Sequence, residues 1–442
     1  MNRYETYKDS GIPWLGDVPE HWEIIKNKYI LAFSKGLTIT KENLVDDGIP
    51  CVSYGEIHSK YGFEVNPEKH LLKCVSEEYF ENNDNAYLKN GDFVFADTSE
   101  DVKGSGNFTY LNSNLSLFAG YHTIVARPDL RKVLPRYLAY VFDSDAHRNQ
   151  IRAMVKGVKV FSITQAFLKN TFVWLPSLEE QTAIAHYLDT KLGEIDALIG
   201  KQQTLLEKLA EQRTAVITHA VTKGLNPAAP MKNSGVEWFG DVPAHWEMKA
   251  IKRVVKEHAG NGFPIELQGN NGDVPFLKVS DLNKGGKLLE DFANSVTRNI
   301  IYEMKWNIVP KFSLVTAKIG EALKKNHRKI ISQDSIIDNN CIAFECLGIN
   351  LDYHYYLSLI IDFDWFENGG TVPSLSVQKY KNQKICIPSL EEQTAIADYL
   401  DQETAKIDRL CDTVNQTIGR LKEYRTALIT QAVTGKIKVT DE

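Results

Sequence analysis

Two segments of this chain are almost identical: LPSLEEQTAIAHYLD at residues 175–189 and IPSLEEQTAIADYLD at residues 387–401. They differ at two positions of fifteen and lie 212 residues apart. A second pair, KDSGIPWLGDVPEHWE at 8–23 and KNSGVEWFGDVPAHWE at 232–247, shares eleven of sixteen positions. An internal repeat sets the architecture before any other feature is considered. The chain is therefore a duplication, in which each copy has a short motif, a variable segment and a segment that begins with SLEEQ.

Each SLEEQ segment predicts a long helix. Ser177 and Ser389 suit the N-cap position, and Glu180 and Glu392, three residues later, would complete a capping box. The repeat continues through EKLAEQRTAVITHAVTKG (207–224) and GRLKEYRTALITQAVTGK (419–436). Apolar residues at steps of three and four predict a narrow seam along each helix: Leu188, Ile195, Leu198, Leu205, Leu209 and Val216, then Leu400, Ile407, Leu410, Val414, Leu421 and Leu428.

Such helices, roughly 50 Å long at about 1.5 Å per residue, need a partner for the seam. We expect the two helices to pack on each other, antiparallel and with pseudo-two-fold symmetry. The alternative is that each helix only covers the core of its own domain.

The variable segments predict two mixed α/β domains, so the expected fold class is α+β with two globular domains and two long coiled-coil helices. Strands are expected at GDFVFAD (91–97), YHTIVARPD (121–129) and FSLVTAKIG (312–320), and helices at 135–151 and 351–362. Both segments close with G-x-x-V-x-S, at Gly157 and Gly369. The expected boundaries are 1–174 and 225–386 for the domains, and 175–224 and 387–442 for the helices.

Composition favours a multidomain soluble protein of the cytoplasm. The 442 residues are 43% hydrophobic and 24% charged, which is typical of globular proteins. No apolar run approaches the ~20 residues of a membrane span, and the start has no basic-then-apolar leader. Six cysteines form no C-x-x-C pair and are expected to be reduced thiols.

Motifs of catalysis are missing from the sequence. It contains no G-x-x-x-x-G-K-[ST], no G-x-G-x-x-G opening a helix, no H-E-x-x-H and no G-x-S-x-G. His21 and His245 are the histidines that recur in both copies, each before a tryptophan. With no second ligand spaced beside them, a packing role is favoured over a metal site. Two copies that keep a scaffold and change the rest indicate binding rather than catalysis.

The doubled [LI]-P-S-L-E-E-Q-T-A-I-A, with W-[LF]-G-x-V-P-x-H-W before each variable segment, resembles the specificity subunit of type I restriction–modification enzymes. The resemblance covers essentially the whole chain. It implies a non-catalytic subunit in which residues 1–174 and 225–386 are target-recognition domains, each for one half of a bipartite DNA site. The helix pair would set the spacer between the halves. Modification subunits would bring S-adenosylmethionine and methylate adenine, and restriction subunits would bring ATP-driven translocation and cleavage, so no cofactor is expected in this chain.

A net charge of −6 argues against DNA binding, but affinity depends on local lysines and arginines rather than on the total. Basic and polar residues expected in loops are therefore candidate DNA contacts: Lys35, Tyr54, Lys103, Ser105, Lys156, Lys159, Asn261, Ser280, Lys318, Lys324, Lys325 and Arg328. Ser53, Thr98, Asn107 and Thr316 are further candidates. For subunit docking and the spacer the candidates are Leu188, Ile195, Leu198, Leu209, Leu400, Ile407, Leu410 and Leu421.

Two other functions stay open. The chain could be a self-contained DNA methyltransferase or endonuclease, although its motifs do not favour one. It could also be a coiled-coil scaffold that binds only proteins.

Overall fold

The computed structural model describes residues 3–157 and 159–439. The chain forms two compact units: Met1–Gln202 with Gln416–Glu442, and Gln203–Asn415. Each boundary falls inside a long helix. Each unit therefore contains one globular domain, the first half of one long helix and the second half of the other.

The first domain consists of strands and short helices arranged around a five-stranded sheet. Its strands are β1 (Tyr7–Asp9), β2 (Asp17–Pro19), β3 (Glu23–Lys26), β4 (Leu31–Lys35), β5 (Ile49–Val52), β6 (Phe63–Val65), β7 (Lys73–Val75), β8 (Tyr87–Leu88), β9 (Phe93–Ala96), β10 (Thr98–Ser99), β11 (Phe108–Leu111), β12 (Leu117–Ala119), β13 (Thr123–Pro128), β14 (Phe161–Ser162) and β15 (Phe172–Leu175). Its helices are α1 (Tyr54–Ser59), α2 (Pro135–Asp143), α3 (Asp145–Arg152) and α4 (Gln165–Asn170). The main sheet has the order β4-β13-β9-β11-β6, and a second sheet has the order β7-β5-β12-β8.

Aromatic side chains fill the space between the main sheet and helix α2. Phe93, Phe95 and Phe108 are buried on the sheet, and the Phe142 ring packs on all three with centroid distances of 5.1–5.7 Å. The helix predicted at 135–151 is divided at Ser144, whose hydroxyl accepts from the backbone of His147 at 3.4 Å and so caps α3.

The first long helix, α5 (Leu178–Lys223), leads into the second domain. The strands there are β16 (Met231–Asn233), β17 (Asp241–Pro243), β18 (Glu247–Ala250), β19 (Val255–Ala259), β20 (Val274–Leu277), β21 (Leu288–Leu289), β22 (Ser295–Val296), β23 (Leu314–Ala317), β24 (Lys329–Ile331), β25 (Ile336–Ile337), β26 (Cys341–Cys346), β27 (Glu367–Asn368), β28 (Ser374–Leu375) and β29 (Lys384–Ile387). The helices are α6 (Arg298–Met304), α7 (Glu321–Lys324), α8 (Leu351–Leu359), α9 (Val377–Asn382) and the second long helix, α10 (Leu390–Val433).

The main sheet of the second domain repeats that of the first. Its order is β19-β26-β23-β24-β21, and its last two strands, β24 and β21, are parallel just as β11 and β6 are in the first domain. The duplication therefore extends through the variable segments, although their sequences give little sign of it.

The long helices begin as predicted, with one difference. The hydroxyls of Ser177 and Ser389 each accept the backbone N–H of the glutamate three residues later, at 3.2 Å. The glutamate side chains do not complete a capping box. Glu180 instead accepts from the indole of Trp22 at 3.1 Å and meets the His21 imidazole at 2.9 Å.

The same contact occurs in the second unit. Glu392 accepts from the indole of Trp246 at 3.0 Å and meets the His245 imidazole at 2.8 Å. We call the contact of one glutamate with a histidine and a tryptophan, which occurs once in each unit, the Glu–His–Trp latch. It explains why the two repeated motifs occur together, because the G-D-V-P-x-H-W motif supplies the donors and the SLEEQ motif supplies the acceptor. It also supports the packing role predicted for the two histidines.

The glutamine that follows each latch glutamate holds the long helix to its domain. The Gln181 side-chain oxygen accepts the backbone N–H of Leu134, at the start of α2, at 2.8 Å. The Gln393 oxygen accepts that of Asn350, at the start of α8, at 2.7 Å. Both glutamines are fully buried. The E-E-Q repeat is thus the junction between helix and domain.

The buried face of each long helix follows a heptad. Positions at alternating steps of four and three are buried or half-buried in both copies: Leu188, Leu192, Ile195, Ile199, Gln202, Leu206, Leu209, Arg213, Val216 and Ala220, and Leu400, Thr404, Ile407, Cys411, Val414, Ile418, Leu421, Arg425, Leu428 and Ala432. The placement of Leu198 and Leu410 in the seam was wrong, since these side chains are 46% and 52% exposed. Leu205, 41% exposed, is also outside it. Each lies one position before the heptad position and points away from the seam.

The helix halves run antiparallel within each unit. In the first unit the Trp174 indole, just before α5, donates to the carbonyl of Val433 at the end of α10. Further along α5, Asp196 pairs with Arg425 at 3.3 Å, nearer the start of α10.

In the second unit the equivalent contacts join Cys386 to the Val221 carbonyl at 3.3 Å and Asp408 to Arg213. The residues of these two contacts lie 212 positions from their counterparts in the first unit. The predicted fold class, mixed α/β domains with two long antiparallel helices, is confirmed. The helix halves also join the core of the domain in their unit.

Within the described residues, no helix combines the length and the apolar character that crossing a bilayer requires. All six cysteines are free thiols.

Candidate nucleic-acid interface

A loop of eleven residues occupies the same position in both main sheets. We call residues 97–107, between β9 and β11, the first central loop, and residues 318–328, between β23 and β24, the second central loop. Their sequences, DTSEDVKGSGN and KIGEALKKNHR, differ at nine of eleven positions and share Glu100 with Glu321 and Lys103 with Lys324. The common strand order shows that they are equivalent. The predicted candidates at Lys103 and at Lys324 therefore belong to one structural position, which the sequence alone did not reveal.

Helix α1 and the first central loop enclose a cleft of about 910 Å³ in the first domain. The His58 imidazole connects them, because one ring nitrogen meets the Thr98 carbonyl at 2.8 Å and the other meets the Asn107 amide at 2.8 Å. Tyr54 and Lys103, both predicted contacts, line this cleft. Lys103 is exposed, and its ammonium makes no ion pair with the described residues.

Two arginines of α3 hold the first central loop in place. Arg148 donates to the Asn107 side-chain oxygen at 2.7 Å, and Arg152 donates to the Lys103 carbonyl at 3.1 Å. Asp143 and Asp145 pair with these arginines at 3.0 and 3.3 Å. The sequence analysis did not select these two arginines as candidates. Their spacing of four residues on a predicted helix, which places both on one face, was the signal that could have identified them.

Aromatic rings form one wall of the cleft. Tyr54 packs edge-on against Tyr121 at 5.6 Å and His122 at 5.3 Å. His122 has a left-handed backbone, with φ of 55°, and its ring meets the Asp97 carboxylate at 3.2 Å. Such a conformation is uncommon for a residue other than glycine. The imidazole lines the cleft and is 57% exposed.

Other predicted residues of the first domain are placed around this region. Lys156 and Lys159 are exposed beside β14, which pairs with β10 at the start of the first central loop. Lys35 is exposed at the end of β4, opposite Ile124. Ser105 requires a correction. It is 2% exposed and donates to the Asp101 carbonyl at 3.3 Å, so it stabilises the loop and is not accessible to DNA.

The second central loop brings several predicted residues together. Lys324 pairs with Glu321 on the exposed turn α7 at 3.2 Å. Lys325 reaches the Asn283 amide oxygen at 3.4 Å, at the end of the turn that carries exposed Ser280. Lys318 stands at the start of the loop.

Asn261 follows β19, and its backbone N–H donates to the Ile337 carbonyl at 2.8 Å. It is half-buried.

Arg328 is the second correction. It is 2% exposed, and its guanidinium donates to the Asn326 side-chain oxygen at 3.0 Å and to the Ile361 carbonyl at 3.1 Å. The Phe363 ring lies 3.5 Å from it. Burial lowers the pKa of Arg328 to about 10. This arginine fastens the base of the second central loop and cannot reach a phosphate. The further candidates Ser53 and Thr316 are buried as well.

These features define a class of protein: a duplicated pair of α/β domains, each fixed to two antiparallel helix halves and each presenting a central loop of its own sequence. Residues 19–208 and 243–419 match the family described as the type I restriction modification DNA specificity domain, and the chain belongs to that family.

Curated relatives agree with this assignment, and solved structures have a similar fold. The chain is 26% identical to the putative type I restriction enzyme MjaX specificity subunit of Methanocaldococcus jannaschii, over 98% of this chain and 97% of that protein. It is 21% identical to the EcoKI specificity subunit of Escherichia coli K12, over 96% and 90%.

A chain solved in a study of complex assembly and conformational transition of the type I R-M system aligns with a TM-score of 0.72 at 16% identity, over 95% of this chain and 99% of that one. The HsdS subunit of Thermoanaerobacter tengcongensis aligns with a TM-score of 0.52 at 16% identity, over 95% and 98%.

The prediction of a type I specificity subunit is confirmed. Its relatives are named as specificity subunits, and nothing in these matches supports the alternative of a self-contained methyltransferase or endonuclease.

Proposed function

We propose that each globular domain reads one half of a bipartite site on double-stranded DNA and that the paired helices set the spacer between the halves. One observation carries this proposal: the two domains share a strand order but carry, at the same position, central loops that differ at nine of eleven residues. A common framework with different loops suits two readers of different half-sites. Exposed Lys103, Lys324 and Lys325 would attract the phosphates, and polar loop atoms would read base edges.

Two copies of one modification subunit are the proposed partners. Several residues of the long helices are identical in both copies and exposed in both, so internal packing does not require their identity. They are Leu178, Glu179, Thr182, Leu198, Glu211, Thr214 and Ala215, with Leu390, Glu391, Thr394, Leu410, Glu423, Thr426 and Ala427. A surface that occurs twice suits two identical subunits. In this proposal S-adenosylmethionine belongs to those subunits, and ATP and Mg²⁺ belong to restriction subunits.

A domain exchange tests this function. The chain is expressed with its modification subunit, methylated adenines are mapped across the host genome, and residues 20–174 are then replaced by those of another family member. We expect one half of the methylated site to change and the other half to persist. An unchanged site in an assembled complex would favour the scaffold that binds only proteins. Methylation or cleavage by the purified chain alone, supplied with S-adenosylmethionine or Mg²⁺, would favour the enzyme.

A further inference from the structure

A short segment beside each central loop has the same valine and serine in both copies, whereas the loops differ at most positions. We call residues 159–163 the first strap and residues 371–375 the second strap. Each contains the V-x-S of the repeated G-x-x-V-x-S motif. Val160 is 56% exposed and Val372 is 58% exposed. An apolar side chain that is exposed at the same place in both domains contributes little to either core, so the fold does not explain why it is kept.

Backbone hydrogen bonds fix each strap to the start of its central loop. In the first domain Ser162 pairs with Thr98, and the N–H of Ile163 donates to the Asp97 carbonyl at 2.8 Å. Val160 also lines the cleft, together with residues of the first central loop.

In the second domain the N–H of Leu375 donates to the Lys318 carbonyl at 2.9 Å, and the N–H of Gly320 donates to the Pro373 carbonyl at 2.8 Å. The strap and the loop therefore present one continuous surface in each domain.

We infer that the straps contact the sugar–phosphate backbone of DNA, with Val160 and Val372 against the deoxyribose. The inference rests on the proposed function. Two domains that read different bases still contact a sugar–phosphate backbone of the same chemistry. A strap valine that occurs in both domains therefore suits contact with the backbone, which does not vary with DNA sequence. Charge agrees with this choice, because exposed Lys156 and Lys159 precede Val160 and half-buried Lys318 is hydrogen-bonded through its carbonyl to the second strap.

Two substitutions of opposite charge at the same position test the inference. Val160→Glu and Val160→Lys are compared in the full complex with the modification subunit, on duplexes with and without the mapped site. A new carboxylate beside phosphates should weaken binding to both duplexes by about five- to tenfold at low salt. The lysine should strengthen binding and steepen the plot of log affinity against log salt by about 0.9. The ratio of specific to non-specific affinity should stay the same in both variants.

Leu130→Glu is the matched control, because Leu130 is 61% exposed and lies outside the loop and the strap. Val372→Glu and Val372→Lys repeat the test in the second domain. The inference is overturned if both charges act alike, if only the preferred sequence changes, or if assembly with the modification subunit weakens instead. If the unaltered complex shows no sequence-specific binding, the proposed function itself has failed.

Discussion

The latch glutamates are the residues on which each helix–domain junction depends. Glu180 is 7% exposed and accepts from a fully buried indole. Glu180→Ala should destabilise the first unit by about 2–3 kcal/mol, because it leaves the Trp22 N–H without an acceptor. Glu180→Gln keeps one acceptor and should cost about half as much. Glu179, the exposed neighbour, is the control, and Glu179→Ala should change the free energy of unfolding by less than about 0.5 kcal/mol. Equal losses for the two alanine variants in urea unfolding would contradict the latch.

Buried histidines should make both units sensitive to acid. Burial lowers the pKa of His147 to about 3 and that of His354 to about 4, below the value of about 6.5 for an unfolded chain. Below pH 6.5 the unfolded state takes up protons that the folded state does not, so stability is complete above that pH and is lost as the pH falls. At pH 5 the loss is about 2 kcal/mol for each histidine.

Unfolding of the first unit at pH 7.5 and pH 5.0 tests the contribution of His147. The His147→Gln variant should lose less stability between the two pH values than the unaltered chain, whatever its stability at pH 7.5. His186 is exposed on α5, and His186→Gln should behave like the unaltered chain. An unchanged pH response in His147→Gln would show that another group dominates.

For single residues, the sequence predicted the role of a side chain when its partner is near in the chain. It did not predict the role when the partner is distant in the chain. Ser177 was predicted as an N-cap because its acceptor role involves the next turn. The Glu180 side chain was misassigned because its partner Trp22 lies far back in the chain. Arg328 reads as one member of an exposed basic run, and only the fold brings the Phe363 ring against it.

The long helices carry the next prediction. Ile195 is 5% exposed in the seam, whereas Leu198, three residues later, is 46% exposed. Ile195→Ala should cost about 2–4 kcal/mol because it opens a cavity, and Leu198→Ala should cost less than about 1 kcal/mol. The same contrast is expected for Ile407 and Leu410. Thermal unfolding of the four variants measures it, and a loss at Leu198 as large as that at Ile195 would place the seam on the wrong face.

The ends of the long helices were easier to predict than the residues of the seam. A repeated cap and a repeated apolar pattern locate both ends of each helix. The seam was partly misassigned because apolar residues were chosen one by one, while the true heptad includes Gln202 and Arg213. The central loops were assigned as candidates but not as equivalents, since equivalence is a property of strand order, and sheet pairing joins residues far apart in the chain.

For the whole molecule, the proposed spacer depends on the length of the helix pair. Removing residues 199–205 from α5 and 411–417 from α10 takes one heptad from each helix and keeps the seam in register. The helices become shorter by about 10 Å, which corresponds to about three base pairs of spacer at ~3.4 Å each. Both half-sites should stay the same, because the domains are untouched.

Removing three residues from each helix instead rotates the helices by about 300° and disrupts the seam, so that variant should lose methylation. Mapping methylated adenines for both variants measures the spacer directly. A heptad deletion that altered the half-sites, or left the spacer unchanged, would show that the helices do not set the separation.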